Sequence, residues 1–203
     1  MLIRWYPVEL RPVSMCNVSP AVDKAGAVSS LLIVTGPPGA GKSAISAALA
    51  KHASPSVLVE GDQFFGFPAE GAIEPWLPES GVQNEIVTEA AAAATGRFAR
   101  DYETVYDGVV GPWFLPTFAL AAGLVELDYV IVLPPAEVCV SRVAARTGHG
   151  FSDEEATRKM HAEFDRASIE ARHVLAGGSA SLEELVAAIR REREAGRFRY
   201  RVD

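Results

Sequence analysis

The sequence predicts an α/β protein, a parallel sheet covered by helices on both faces, and two observations carry that reading. Five short runs rich in Val, Ile, Leu or Tyr ("SLLIVTG", "SVLVEGD", "ETVYDGVV", "DYVIVLPP" and "RHVLAGG") alternate with stretches of helical pattern. Strands separated by helices form βαβ units, in which each crossover helix packs back on a sheet buried on both faces. The second observation is length. A chain of 203 residues buries about 70% of its unfolded surface without disulfides or metals, so one domain is the economical solution.

Residues 1–28 contain three prolines and no sustained period, and read as an extension preceding a single domain at 29–203. Met15 could be the true start. The first apolar run, ending at Gly36, is followed by a helix whose Ile45, Ala48 and Leu49 share one face, suited to packing on a sheet. After the second run, "GFPAEGAIEPWLPESG" is too broken by Pro and Gly for a helix and makes a candidate substrate-side loop. The Ala-rich "NEIVTEAAAAATGRFA" is expected to be a helix packed closely on a neighbour. Later helices announce their starts with S-x-x-E capping boxes, Ser152 with Glu155 and Ser181 with Glu184. Leu182, Leu185, Val186 and Ile189 give the last helix an apolar stripe.

Composition narrows the function. A net charge of -7 argues against a nucleic-acid surface, which needs a basic stripe. Only "RREREAGRFRYR" is locally basic, and it reads as a solvated helix end with a frayed tail. No apolar window is long enough to span a bilayer, and the first residues lack the continuous apolar core of a signal peptide. Cys16 and Cys139 match no metal spacing. The expectation is a soluble protein of a reducing cytoplasm, monomer or homo-oligomer, with a small-molecule partner.

Residues 36–43, "GPPGAGKS", fit G-x-x-x-x-G-K-[ST] at every fixed position, between a strand and a helix. This is a P-loop. Gly36, Pro37, Pro38, Gly39, Ala40 and Gly41 would turn backbone N–H groups onto phosphate oxygens at a helix N-terminus. Lys42 would reach the β- and γ-phosphates and Ser43 would ligate Mg²⁺. The guanine-reading N-K-x-D and T-K-x-D patterns are absent from the sequence, which favours ATP. An AAA-type or motor ATPase would want adjacent acidic residues after four apolar ones, and the third run ends in a single Asp107.

Asp62 falls at the C-terminal end of the second strand, where open α/β sheets bind ligands. It could take a proton from a hydroxyl attacking the γ-phosphate, or simply cap a turn. Asp107 could hold Mg²⁺ through a water or form a structural Asp–Gly turn, and Glu60 could share the acid/base work. Arg142 and Arg146, four apart on a helix, could together neutralise charge on a transferred phosphoryl group. His149, between two glycines, could touch substrate or nucleotide or face solvent. His161 and His173 read as ordinary helix and strand-edge residues. Phe64, Phe65, Trp76 and Trp113 could line an acceptor pocket or belong to the core.

The ordered set "GPPGAGKS", Asp62, "YDG" and the R-x-x-x-R pair after "LPP" resembles the P-loop small-molecule kinases: shikimate kinase, gluconate kinase and above all the chloramphenicol phosphotransferase-like group. The likeness covers roughly residues 29–195. It implies a P-loop NTPase fold, a three-layer α/β/α sandwich with a five-stranded parallel sheet in the order 2-3-1-4-5. It also implies ATP with Mg²⁺, Asp62 as base and Arg146 as a lid residue on the phosphates. Where the chloramphenicol group has paired aspartates, this chain has Asp107 followed by Gly108, and "GVVGPWFLPTF" matches no substrate signature. The activity implied is ATP-dependent phosphorylation of a hydroxyl on an antibiotic or sugar-like metabolite. A nucleotide or nucleoside kinase, and a non-catalytic ATP-binding regulator, are the alternatives.

Overall fold

The computed structural model describes residues 31–145, 153–177 and 180–202. Its centre is β1 (Leu31–Thr35), in which all five residues are buried. A strand with no exposed face needs cover on both sides, and period 2 sorts its side chains accordingly. Leu31 and Ile33 join Tyr106, Phe118 and Tyr129 in one core layer, whereas Leu32 and Val34 join Ile45, Leu49, Val186 and Ile189 in the other.

The remaining elements follow in chain order. They are α1 (Lys42–Ala50), β2 (Ser56–Glu60), α2 (Gly81–Phe98), β3 (Glu103–Asp107) and α3 (Leu115–Ala122). Then come β4 (Glu126–Val132), α4 (Ala136–Ala144), α5 (Glu154–Arg166), β5 (Val174–Leu175), α6 (Leu182–Glu194) and β6 (Arg199–Arg201). The strands run β2-β3-β1-β4-β5, as expected, and are parallel. With helices on both faces this is the three-layer P-loop NTPase sandwich, and the order reverses direction at β1, the strand that feeds the P-loop.

Three expectations are corrected. The basic C-terminal segment does not fray. β5 covers only Ile131 and Val132 of β4, and β6 pairs antiparallel with Glu126, Leu127 and Asp128 on the other half of that strand. α5 is capped by Asp153, whose carboxylate accepts the Ala156 N–H at 2.9 Å, one residue past the expected Ser152, which lies outside the described residues. His173 is buried, its Nδ1 2.9 Å from the Tyr129 carbonyl oxygen, and its burial lowers its pKa. The Ser181–Glu184 capping box on α6 is present with both hydrogen bonds.

The Ala-rich helix behaves as its small residues suggest. Ala91, Ala92, Thr95 and Gly96 form the buried stripe of α2, and Ala91 and Ala92 join Phe118, Ala119 and Ala122 of α3 in one core layer. The Pro/Gly-rich loop between β2 and α2 is tied down rather than loose. The Gln83 side chain donates to the Ile73 carbonyl at 2.6 Å and accepts the Ile73 N–H at 2.8 Å. Asn84 donates to the Pro75 carbonyl at 2.8 Å. No helix among the described residues is long and apolar enough to cross a membrane.

Candidate active site

The C-terminal ends of β1, β2 and β3 converge on one edge of the sheet, and the P-loop rises from the first of them. Gly39 has φ 78°, and a Cβ there would stand 2.2 Å from the Cys139 carbonyl oxygen, so α4 admits only glycine at this point of the loop. Gly41, at φ 95°, is the N-cap of α1 and supplies no side-chain cap. The first N–H groups of α1 are therefore left to an anion. The Lys42 Nζ donates to the Pro37 carbonyl at 3.1 Å.

Arg142 lies beside the loop. Its Nη1 donates to the carbonyls of Gly39 at 3.3 Å and Ala40 at 3.4 Å. These bonds tie α4 to the backbone of the P-loop. Arg146 and His149 lie outside the described residues.

Asp107, the last residue of β3, is 8% exposed, and its Oδ1 has no hydrogen-bond partner. Burial pushes its carboxyl up, the Ser43 hydroxyl and the Lys42 ammonium pull it down, and Asp62 and Glu60 push it up again. Those influences place Lys42, Ser43, Glu60 and Asp62 each within electrostatic reach of Asp107. Asp62 sits exposed in the 3₁₀ turn Gly61–Gly66, and Glu60 accepts a hydrogen bond from Gln63.

Two residues not singled out in the sequence join the site. Thr35 accepts the Val110 N–H at 2.9 Å, tying the loop after β3 to the residue just before the P-loop. Tyr106 points to the face opposite Asp107, and its hydroxyl stands 2.1 Å from where a Cβ on Gly61 would be. Burial first, then Asp62 and Asp107, hold that phenol protonated. Strand alternation beside Asp107 was the available signal for Tyr106; the Thr35 bond spans 75 residues and had none.

Of the expected substrate residues, Phe64 is half-buried against the core and 5.1 Å from the Phe67 ring. Trp113 is 44% exposed and packs 5.3 Å from Phe164. Phe65 and Trp76 are half-buried. Among the described residues no three His, Cys, Asp or Glu side chains are arranged to hold a metal by themselves. Magnesium, which usually keeps one or two carboxylates plus phosphate oxygens and water, fits the Ser43 and Asp107 pair better than a site built wholly of protein ligands would.

A family described as an AAA domain matches residues 31–168, from β1 through the turn after α5. The chain belongs to this AAA domain family. The match agrees with the P-loop read from the sequence and with the resemblance that motif carries. Among the solved structures that resemble this AAA domain protein are two titled as kinases and a resistance protein. A sugar kinase from Janibacter sp. HTCC2649 superposes with a TM-score of 0.64 at 16% identity, covering 81% of this chain and 94% of that one. The tunicamycin resistance protein of Deinococcus radiodurans gives 0.60 at 13%, covering 80% and 94%. A gluconokinase from Sinorhizobium meliloti 1021 gives 0.52 at 20%, covering 84% and 92%. At these identities the likeness establishes fold alone. No curated protein sequence matches the chain.

Proposed function

We propose that this protein transfers the γ-phosphate of ATP to a hydroxyl group of a small molecule, an antibiotic or a sugar-like metabolite. The observation that carries the proposal is the buried Asp107 carboxylate, with one oxygen lacking a partner, beside Ser43 and Lys42 and within reach of Asp62. What sets this oxygen apart from the equally unpartnered Oδ1 of Asp128 is its place beside Ser43 and Lys42 of the P-loop.

The roles follow from position. The P-loop amides and Lys42 hold the phosphates, and Ser43 and Asp107 would hold Mg²⁺, which supplies charge neutralisation between phosphate oxygens. Arg142 keeps the loop in its phosphate-binding shape through the Gly39 and Ala40 carbonyls. Arg146, four residues further along the sequence, would meet charge on the transferred group. Asp62 orients the acceptor hydroxyl and takes its proton. The acceptor oxygen forms a bond to the γ-phosphorus, the bridging P–O bond breaks, and its electron pair leaves with ADP. The structural neighbours titled sugar kinase and gluconokinase support a hydroxyl acceptor.

The test is ADP release from ATP and Mg²⁺ against a panel of antibiotics, sugars and nucleosides. Acceptor-dependent ADP formation that disappears in Asp62→Asn is the expected result. ADP formation at one rate regardless of acceptor would leave a nucleotide-binding regulator as the better description.

A further inference from the structure

We propose that the Tyr106 hydroxyl is a substrate contact, donating a hydrogen bond to a second oxygen or nitrogen of the acceptor while Asp62 takes the proton of the reacting hydroxyl. The proposal rests on the kinase reading for the reaction, but not for the contact itself.

Tyr106 stands opposite Val59 in the parallel ladder of β3 and β2. Residues two apart on a strand share a face, so Gly108 follows Tyr106 on its face, and Gly61, just past the end of β2, follows Val59. The tyrosine fills the space beside both glycines. A Cβ at Gly61 would stand 2.1 Å from the hydroxyl, and one at Gly108 would stand 2.8 Å from a ring carbon and 3.0 Å from the same hydroxyl. Neither glycine has a positive φ, so what each supplies is room rather than backbone freedom. The ring therefore runs along the sheet toward its C-terminal edge. Its hydroxyl emerges between the residue before Asp62 and the residue after Asp107. The Phe118 ring, 4.8 Å away and inclined at 69°, anchors the phenol in the core.

The hydroxyl is placed without being used. Tyr106 is 4% exposed, and a buried tyrosine ordinarily spends its O–H on a partner. Tyr129 does so, donating to the Val110 carbonyl at 2.7 Å. Among the described residues Tyr106 has no such bond. Nor is its oxygen sealed in: the described side-chain oxygens that are both fully buried and unbonded are those of Ser46, Asn84, Asp107 and Asp128. A rigid, unbonded donor that opens at the strand ends is available to a ligand.

The chemistry around the phenol selects the atom it meets. The carboxylates that act on it are Asp62 first and then Asp107, which puts it on the acceptor side of the site. Ionised carboxylates only accept hydrogen bonds, whereas a phenol at neutral pH is protonated and donates. The reacting hydroxyl gives its proton to Asp62 and its lone pair to phosphorus. The phenol's partner is therefore a different atom of the same molecule: a neighbouring hydroxyl, ether or carbonyl oxygen, or a ring nitrogen. An acceptor lacking that atom leaves the phenol unpaired and is discriminated against.

Tyr106→Phe removes one oxygen and keeps the ring beside the two glycines. It should raise the acceptor KM about three- to tenfold, the span of one neutral hydrogen bond, and leave the ATP KM within about twofold. Its Tm should hold or rise, because no hydrogen bond within the protein is lost; a fall of several degrees would mark the hydroxyl as structural and overturn the proposal. Saturation-transfer NMR on the full chain with ADP and Mg²⁺ reads the contact without turnover, using D-gluconate, D-glucose, chloramphenicol and thymidine as probes. At least one probe should show transfer that weakens in Tyr106→Phe. Tyr106-dependent binding without ADP release from ATP sinks the kinase reading and leaves the contact. Turnover with an unchanged acceptor KM in Tyr106→Phe, whatever its kcat, sinks the contact and leaves the kinase. No Tyr106-dependent binding of any probe, by NMR or by KM, overturns the proposal.

Discussion

Two aspartates flank β1 on neighbouring strands, and the ends of the sheet on which they lie could hardly differ more. Asp107 ends β3 at the P-loop edge, and Asp128 lies near the start of β4 at the opposite edge. Both are buried, and burial pushes both carboxyls up. Asp128 has its charge partner within the fold, although its Oδ1, like that of Asp107, has no hydrogen-bond partner. The Arg193 Nε donates to it at 2.7 Å and the same guanidinium bonds Glu103, while Arg201 donates to Glu126 at 2.8 Å. At the P-loop edge, Glu60 and Asp62 add to the negative charge around Asp107, with Ser43 and Lys42 pulling the other way. The helix and strand that close the chain neutralise one end. The other is left for a ligand to complete, and a cavity of about 310 Å³ lined by Arg190, Arg193 and Glu103 at the neutralised end holds none of the phosphate-binding groups.

Breaking the neutralised end should have the largest effect. Arg193→Ala strands Asp128 and Glu103 and should cost about 3–5 kcal/mol, a fall in Tm of roughly 6–20 °C for a chain of this size. Turnover per folded molecule should change little. A thermal melt checks the first and an assay below the transition the second; an unchanged Tm would mean the network is solvated in spite of its burial.

At the open end, Lys42→Ala should lose roughly a hundred- to a thousandfold in phosphoryl transfer, the range for removing one electrostatic stabiliser of a transition state. Its Tm should stay within a few degrees, since the lysine contacts a loop carbonyl rather than the core. Steady-state kinetics together with a melt would show both halves. Activity within about tenfold of the parent would contradict the assignment.

Asp62→Asn should leave ATP affinity unchanged and lower acceptor-dependent kcat by about a hundredfold. Calorimetric titration of ATP beside the kinetics distinguishes this from a binding defect. Wild-type turnover across pH 6 to 9 would turn attention to Glu60.

The smallest effect sharpens the comparison most. Asp107→Asn should stabilise the ligand-free protein by about 1 kcal/mol while impairing Mg²⁺-dependent turnover. A carboxyl whose folded pKa is raised contributes stability that is present below its unfolded value, near 3.8, and is lost as pH rises through the folded value. The variant's advantage should therefore shrink as pH falls through that raised value. Asp128→Asn, whose carboxyl burial also raises, takes an ion-pair partner from Arg193 and should gain less than Asp107→Asn. Melting curves at neutral and acid pH test both, and equal gains for the two aspartates would erase the distinction between the ends.

The sequence by itself determined the nucleotide half of the site, because local chemistry suffices there. A P-loop is eight consecutive residues between a strand and a helix, and Asp62 and Asp107 announce themselves by ending apolar runs. The order of the strands was legible too, through the resemblance those motifs carry. Tertiary structure alone decided what depends on residues far apart in the chain. The basic tail, polar in pattern, becomes a strand because β5 is too short to cover β4. Arg193 finds Asp128 across 65 residues. Arg142 reaches the P-loop carbonyls across 103, which turns a guanidinium expected at the phosphate into a clamp on the loop. Phe164 of α5 packs against Trp113 from the loop after β3. Periodicity reports which face of an element is apolar, but not what that face will meet.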